Sequence, residues 1–225
     1  MLLVNELDVK PLESSIIAAL TSDNPSMRLR AALAIGSNPE QGFVDTLIAR
    51  CAIEPDFYVR EILTWALIQC PADVTVPKLL SELRSEGIQA RSQALHTLSK
   101  TTDARAWPAI TRALLRDSDD TVAQAAWRAA VVLVPSGREN SLAEELSDQI
   151  GRGNQEVQRS LSIALVALGE EVIEPVLRRA VASKDPRVRS HASETKRLLS
   201  DPDSGFQYAV NQVQRILAPG GDKSN

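Results

Sequence analysis

The feature that most limits what this chain can fold into is a recurring short segment. An apolar residue set in the same local pattern returns at Met27, Val59, Ala90, Val122, Val157 and Val188. The intervals are 32, 31, 32, 35 and 31 residues. A period of that size marks stacked supersecondary units, each of which buries its apolar face only against its neighbours.

Each unit reads as two helices. The second, helix B, starts three residues before the recurring anchor, at Asn24, Asp56, Gly87, Asp119, Asn154 and Asp185. All six are residue types that cap helix N-termini, where a short side chain or a bare backbone leaves free N–H groups satisfied. The anchor and the positions four, seven and eight residues on share one face. That face holds Met27, Ala31, Ala34 and Ile35 in the first unit, and Val59, Leu63, Ala66 and Leu67 in the second. About thirteen residues before the anchor stand Pro77, Pro108 and Pro175, followed by apolar pairs such as Leu79 and Leu83. Proline suits a first helical position, so a helix A is expected to open at each.

The paired pattern predicts repeats near 12–36, 43–70, 75–100, 106–134, 141–168 and 172–199. A single domain over 1–217 is expected. The longest interval holds Val134-Pro135-Ser136-Gly137, a turn-rich connection. After Asp201-Pro202-Asp203-Ser204-Gly205 breaks the last helix, an amphipathic helix over 206–217 is expected to cap the stack. A disordered tail is expected over 218–225.

The pattern Asp185-Pro186-x-Val188-Arg189-x-x-Ala192, after a helix expected to open on Pro175, resembles the short bacterial HEAT repeats often called PBS-lyase HEAT-like repeats. Arg28, Arg60, Arg91 and Arg189 hold the slot after the anchor, where that family usually has Arg; Ala123 and Gln158 depart from it. The resemblance covers roughly residues 12–200 and implies an all-α fold. Its form is a right-handed α-α superhelix of about six hairpins whose concave face is lined by the B helices. The family includes scaffolds, chromophore lyases and DNA-repair proteins, so the resemblance is specific for architecture.

Composition narrows function by exclusion. The net charge is −4 and the pI about 5.3, which counts against a nucleic-acid partner. Residues 1–60 carry five Lys/Arg against eight Asp/Glu, and residues 151–200 nine against six, so the charge is uneven. Cys51 and Cys70 form no paired motif and read as small buried hydrophobes, which suits a cytoplasmic protein. The first residues lack the pattern of a signal peptide, and no apolar run reaches spanning length.

No catalytic constellation stands out. His96 and His191 are the two histidines, three repeats apart, and no metal-ligand spacing, phosphate loop or nucleophile–base motif appears. Gly36, Gly151 and Gly169 fall where helices are expected to end. The arginines after the anchors are expected to pair with cap carboxylates such as Asp56 and Asp185. No cofactor or metal is implied.

On a helical wheel the positions two, five, six and nine after the anchor point away from the core. There Trp65, His96, Trp127 and Arg128 gather across three consecutive repeats. Trp and Arg are the residues over-represented at binding hot spots, so these four are the candidate binding site. The same indoles could instead pack between repeats. Trp107, just before Pro108, is expected to staple a turn. The function expected is a non-enzymatic scaffold that docks a protein segment on the concave face. The alternatives are a bilin-binding enzyme like the phycobilin lyases, with an Arg among Trp residues receiving propionates, or a HEAT-like nucleic-acid or DNA-repair protein.

Overall fold

The computed structural model describes residues 14–201, and among these residues every regular element is helical. They fall into two compact units that divide between Ser136 and Gly137, inside the turn-rich connection. In the first unit, α1 (residues 14–20) precedes α2 (Pro25–Ser37), and α3 (Val44–Cys51) precedes α4 (Phe57–Gln69). Then α5 (Ala72–Glu82) precedes α6 (Ile88–Thr101), and a 3₁₀ segment (Ala104–Ala109) with α7 (Arg112–Leu115) precedes α8 (Asp120–Leu133). The second unit contains α9 (Glu139–Ser147), α10 (Gln155–Ala167), α11 (Glu170–Val181) and α12 (Pro186–Ser200). The capping helix and tail expected beyond residue 201 lie outside the described residues, as does the N-terminal segment before residue 14.

All six B helices start at the predicted caps. Asn24, Asp56, Asp119, Asn154 and Asp185 each accept a hydrogen bond from a first-turn amide, and Gly87 caps without a side chain. A second device lies two residues upstream. The side chains of Ser22, Glu54, Ser85, Asp117 and Ser183 accept the N–H of the cap residue itself, at 2.9 to 3.2 Å. The turn from A to B is thus held on both sides of its corner.

The arginines after the anchors close that same turn. In each case Nη1 donates to the carbonyls of the two residues before the cap. Arg28 reaches Ser22 and Asp23, Arg60 reaches Glu54 and Pro55, Arg91 reaches Ser85 and Glu86, and Arg189 reaches Ser183 and Lys184. This replaces the expected pairing with the cap carboxylates, which are already occupied by helix amides. A guanidinium suits the task because its donors splay from one rigid plane. Gln158 keeps part of the contact, with Nε2 donating to the Gly153 carbonyl at 3.2 Å.

Two of these clamps also tie one repeat to the next. Arg28 grips the carboxylate of Glu54 through Nε and Nη2, both at 2.7 Å, and Arg50 Nε adds a bond at 2.8 Å. Glu54 is wholly buried. Burial alone would raise its pKa, but the bonds from Arg28, the Asp56 amide and Arg50 outweigh it and hold the carboxyl down at about 2. Arg91 repeats the arrangement more loosely, with Nη2 3.3 Å from Asp117. Both carboxylates occupy the position two before the cap.

Helix A departs from expectation. Pro77 is the sixth residue of α5 and Pro175 the sixth of α11, while Pro108 lies inside the 3₁₀ segment. The helices begin a turn and more before the prolines. For α11 the start is set by Gly169, at φ +92°, and by Glu170 and Glu171 in the first turn, where carboxylates oppose the positive helix end. In the fourth repeat helix A is split: after the 3₁₀ segment Thr111 caps the single turn of α7. Trp107 sits half-buried within that segment.

The core follows the predicted face except at Met27 and Ala34 in the first repeat and Lys196 in the last, which are exposed, and at Val188, which is half-buried. Within the first unit α2 packs chiefly on α4 and α6 on α8, with a smaller contact between α4 and α6. Within the second, α10 packs on α12 and α9 on α11. Surface ion pairs join successive A helices, Asp45 to Lys78 in the first unit and Glu144 to Arg179 in the second. Each contributes ~0.2–1 kcal/mol at most.

Candidate functional site

The position six after the anchor is exposed or half-exposed in every B helix of the first unit. Leu33 on α2, Trp65 on α4, His96 on α6 and Arg128 on α8 form one accessible row. The position one turn further gives Ser37, Gln69, Lys100 and Val132, of which Ser37, Gln69, Lys100 and Val132 are all exposed. Two parallel rows on four helices make a stripe whose side chains are exposed, save the half-buried His96.

The position five after the anchor behaves in the opposite way. Ala32, Thr64, Leu95 and Trp127 are all buried there, as is Ser162 in the second unit. A wheel centred on one core face places this slot outward. In a stack, however, a B helix touches its own A helix and the B helices beside it, so its buried arc is wider. Trp127 is therefore a correction: it is 0% exposed, and its Nε1 donates to the Leu115 carbonyl at 2.8 Å. The indole fills the space beside the alanine-rich face of α8 and is part of the core, not of a docking surface.

Trp65 stays on the stripe. It is 36% exposed, with the six-membered ring of the indole against Gly36 on α2. Gly36 lies inside α2 at a negative φ, so its role is to make room for that ring and not to end the helix. Gly151 and Gly169 do adopt the positive φ expected of helix-ending glycines.

His96 Nε2 lies 3.1 Å from Glu61 Oε1 on α4. Burial lowers the imidazole pKa from its ordinary value, against the pull of Glu61, while Lys100 and Arg128 push the same way as burial. At neutral pH the ring is uncharged. Lys100 and Glu61 were not among the four residues picked from the sequence. Their signal was there in the positions two and ten after the anchor, one helical turn either side of the chosen row.

The second unit joins a serine to a histidine. Ser162 Oγ lies 3.0 Å from His191 Nε2 and 2.8 Å from Thr195 Oγ1. Gly151 N–H donates to His191 Nδ1 at 2.9 Å, so Nδ1 carries no proton and the neutral ring holds it on Nε2. Nε2 then donates to Ser162, Ser162 to Thr195, and Thr195 to the His191 carbonyl at 2.9 Å. A base for Ser162 would have to accept at Nε2. This chain runs the other way, and His191 and Thr195 are almost wholly buried. The group is a structural network and not a hydrolytic pair.

Cys51 and Cys70 are both buried, as expected, and burial pushes the Cys51 thiol up to about 12, far from a reactive thiolate. Among the described residues no group of three or more His, Cys, Asp and Glu is placed to hold a metal ion. Nor is any helix among them long and apolar enough to cross a membrane.

Residues 45–131 match a family model described as HEAT repeats. No curated protein matches the chain. Among solved structures, an engineered protein is 20% identical and covers 85% of this chain and 96% of its own, at a TM-score of 0.46. The complex of CpcE and CpcF of phycocyanin lyase from Nostoc is 24% identical, covering 79% of this chain and 73% of that one, at a TM-score of 0.47. A second engineered protein is 20% identical, covering 97% and 67%, at 0.43.

Proposed function

We propose that the HEAT repeats of this chain form a protein-binding scaffold, and that the stripe led by Leu33, Trp65, His96 and Arg128 is where a partner segment docks. The observation that carries this reading is the exposure of one helical row across four successive B helices, with a Trp at its centre. A large aromatic that is partly exposed, yet fixed from behind by Gly36, presents a rigid apolar surface at little entropic cost on binding.

The test compares two surfaces of the full chain. Immobilised wild type is expected to retain a protein from native lysate that Trp65→Ala and Leu33→Glu fail to retain. Tyr58→Ala, at an exposed residue of the α3–α4 corner, leaves retention unchanged. Equal retention by Trp65→Ala and wild type would remove the stripe as the docking surface.

A further inference from the structure

The stripe is not uniform. Along it, α2 and α4 offer Leu33 and the Trp65 indole, whereas α6 and α8 offer Lys100 and Arg128 around His96. Glu61 lies against the His96 ring at 3.1 Å, on the side of α4. The chain as a whole is acidic, at −4. Positive charge on this face is therefore local, and it lies next to the apolar half. Val132, beyond Arg128, closes the far end with a second apolar group that is 51% exposed.

We infer that the segment docked on this stripe is an acidic peptide with an apolar anchor. The anchor side chain rests on the Trp65 indole beside Leu33, and a carboxylate reaches the Lys100 ammonium one helix further on. This rests on the stripe being the docking surface. Neighbouring packed helices lie about 8–10 Å apart, and an extended chain advances about 3.3–3.6 Å per residue. The carboxylate thus belongs about three residues from the anchor in an extended segment. A helical segment, rising about 1.5 Å per residue, needs about six or seven. A basic segment would set its charges against the exposed Lys100, so the same face selects against it.

The experiment is to pan a random dodecapeptide display library on the full chain and measure the enriched peptides by fluorescence anisotropy. Enriched peptides are expected to pair an apolar residue with Asp or Glu at one of those spacings, and to bind more weakly as salt rises. Lys100→Gln is expected to weaken them about two- to fivefold and Lys100→Glu about tenfold or more, with Trp65→Ala abolishing enrichment. Circular dichroism of the Lys100 variants, changed at an exposed position, should match wild type. Neutral or basic peptides that are lost in Trp65→Ala would overturn the acidic inference and leave the docking stripe standing. Absence of enrichment, or peptides indifferent to both Trp65→Ala and Lys100→Glu, would overturn both.

Discussion

The indole of Trp65 lies against Gly36: three carbons of its six-membered ring stand closer to the place a Cβ would take there than real Cβ contacts allow. The two residues belong to different helices, α4 and α2, so the contact is one reason these B helices pack so closely. It also sets the angle at which the indole meets water.

Gly36→Ala should therefore push the ring outward. An overpacked site of this kind costs about 1–3 kcal/mol, and the Trp emission should move with the ring's new exposure. In the double variant Gly36→Ala with Trp65→Ala the methyl has no ring to meet, and the alanine penalty should largely vanish. Urea melts of the four proteins form the cycle; additive costs would mean that the two residues do not couple.

Trp127 sets the opposite expectation from Trp65. Its truncation to Ala should cost about 3–5 kcal/mol, as for other large buried side chains. Trp127→Phe keeps most of the volume but leaves the Leu115 carbonyl without its indole donor, adding about 1–3 kcal/mol to the loss of contact. Denaturant midpoints and near-ultraviolet circular dichroism would check both, and a Trp127→Ala protein as stable as wild type would contradict the buried placement.

What was legible in the sequence was what is local. The six caps and the apolar anchors each depend on spacing along one helix, and the structure starts all six B helices at the expected caps. Trp127 fell to the alternative of a packed indole, because its burial depends on the helices beside α8, which a single-helix wheel does not contain. The prolines misled differently: proline is favoured at a first helical position and costs a hydrogen bond further in, but Pro77 and Pro175 stand sixth in their helices, and at α11 the start is set instead by Gly169 and Glu170. The Arg28–Glu54–Arg50 cluster was hidden because Arg28 lies in one repeat and Glu54 with Arg50 in the next. The polar residue two before each cap, visible at Ser22, Glu54, Ser85, Asp117 and Ser183, was a repeated signal that pointed to it.

That cluster makes the first unit sensitive to acid. Glu54 has a folded pKa of about 2 against an ordinary value of 4.5. A depressed carboxylate stabilises the fold fully above its unfolded pKa, and the contribution is lost as pH falls toward the folded one. The size is about 3 kcal/mol, lost between about pH 5 and pH 2. Glu54→Gln should leave Arg28 and Arg50 under-compensated and cost about 3–5 kcal/mol at neutral pH, while removing most of this acid limb. Urea unfolding as a function of pH, followed on the two proteins, would show whether the limb belongs to Glu54.

The second unit should respond at milder acidity, through His191. Its pKa is lowered from 6.5, chiefly by burial, with the Gln158 carbonyl opposing. Protonation would place a proton on Nδ1, where the Gly151 N–H already donates. Gly151 also touches Val188, and its carbonyl accepts from Arg187 Nη2, so the start of α12 is seated on this one residue. For a histidine held neutral, the stabilisation is complete above the unfolded pKa and erodes as pH falls below about 6.5. Hydrogen exchange of the α12 amides should therefore quicken between pH 6.5 and 5, after correction for the intrinsic rate, before the Glu54 limb begins. His191→Gln, which keeps an acceptor and a donor without titrating there, should flatten that dependence. Thr195→Val, which breaks the hydroxyl chain but leaves the imidazole, should lower protection at every pH and keep the slope. If the slope survives His191→Gln, the titrating group is another residue and the Gly151 contact is not the sensor.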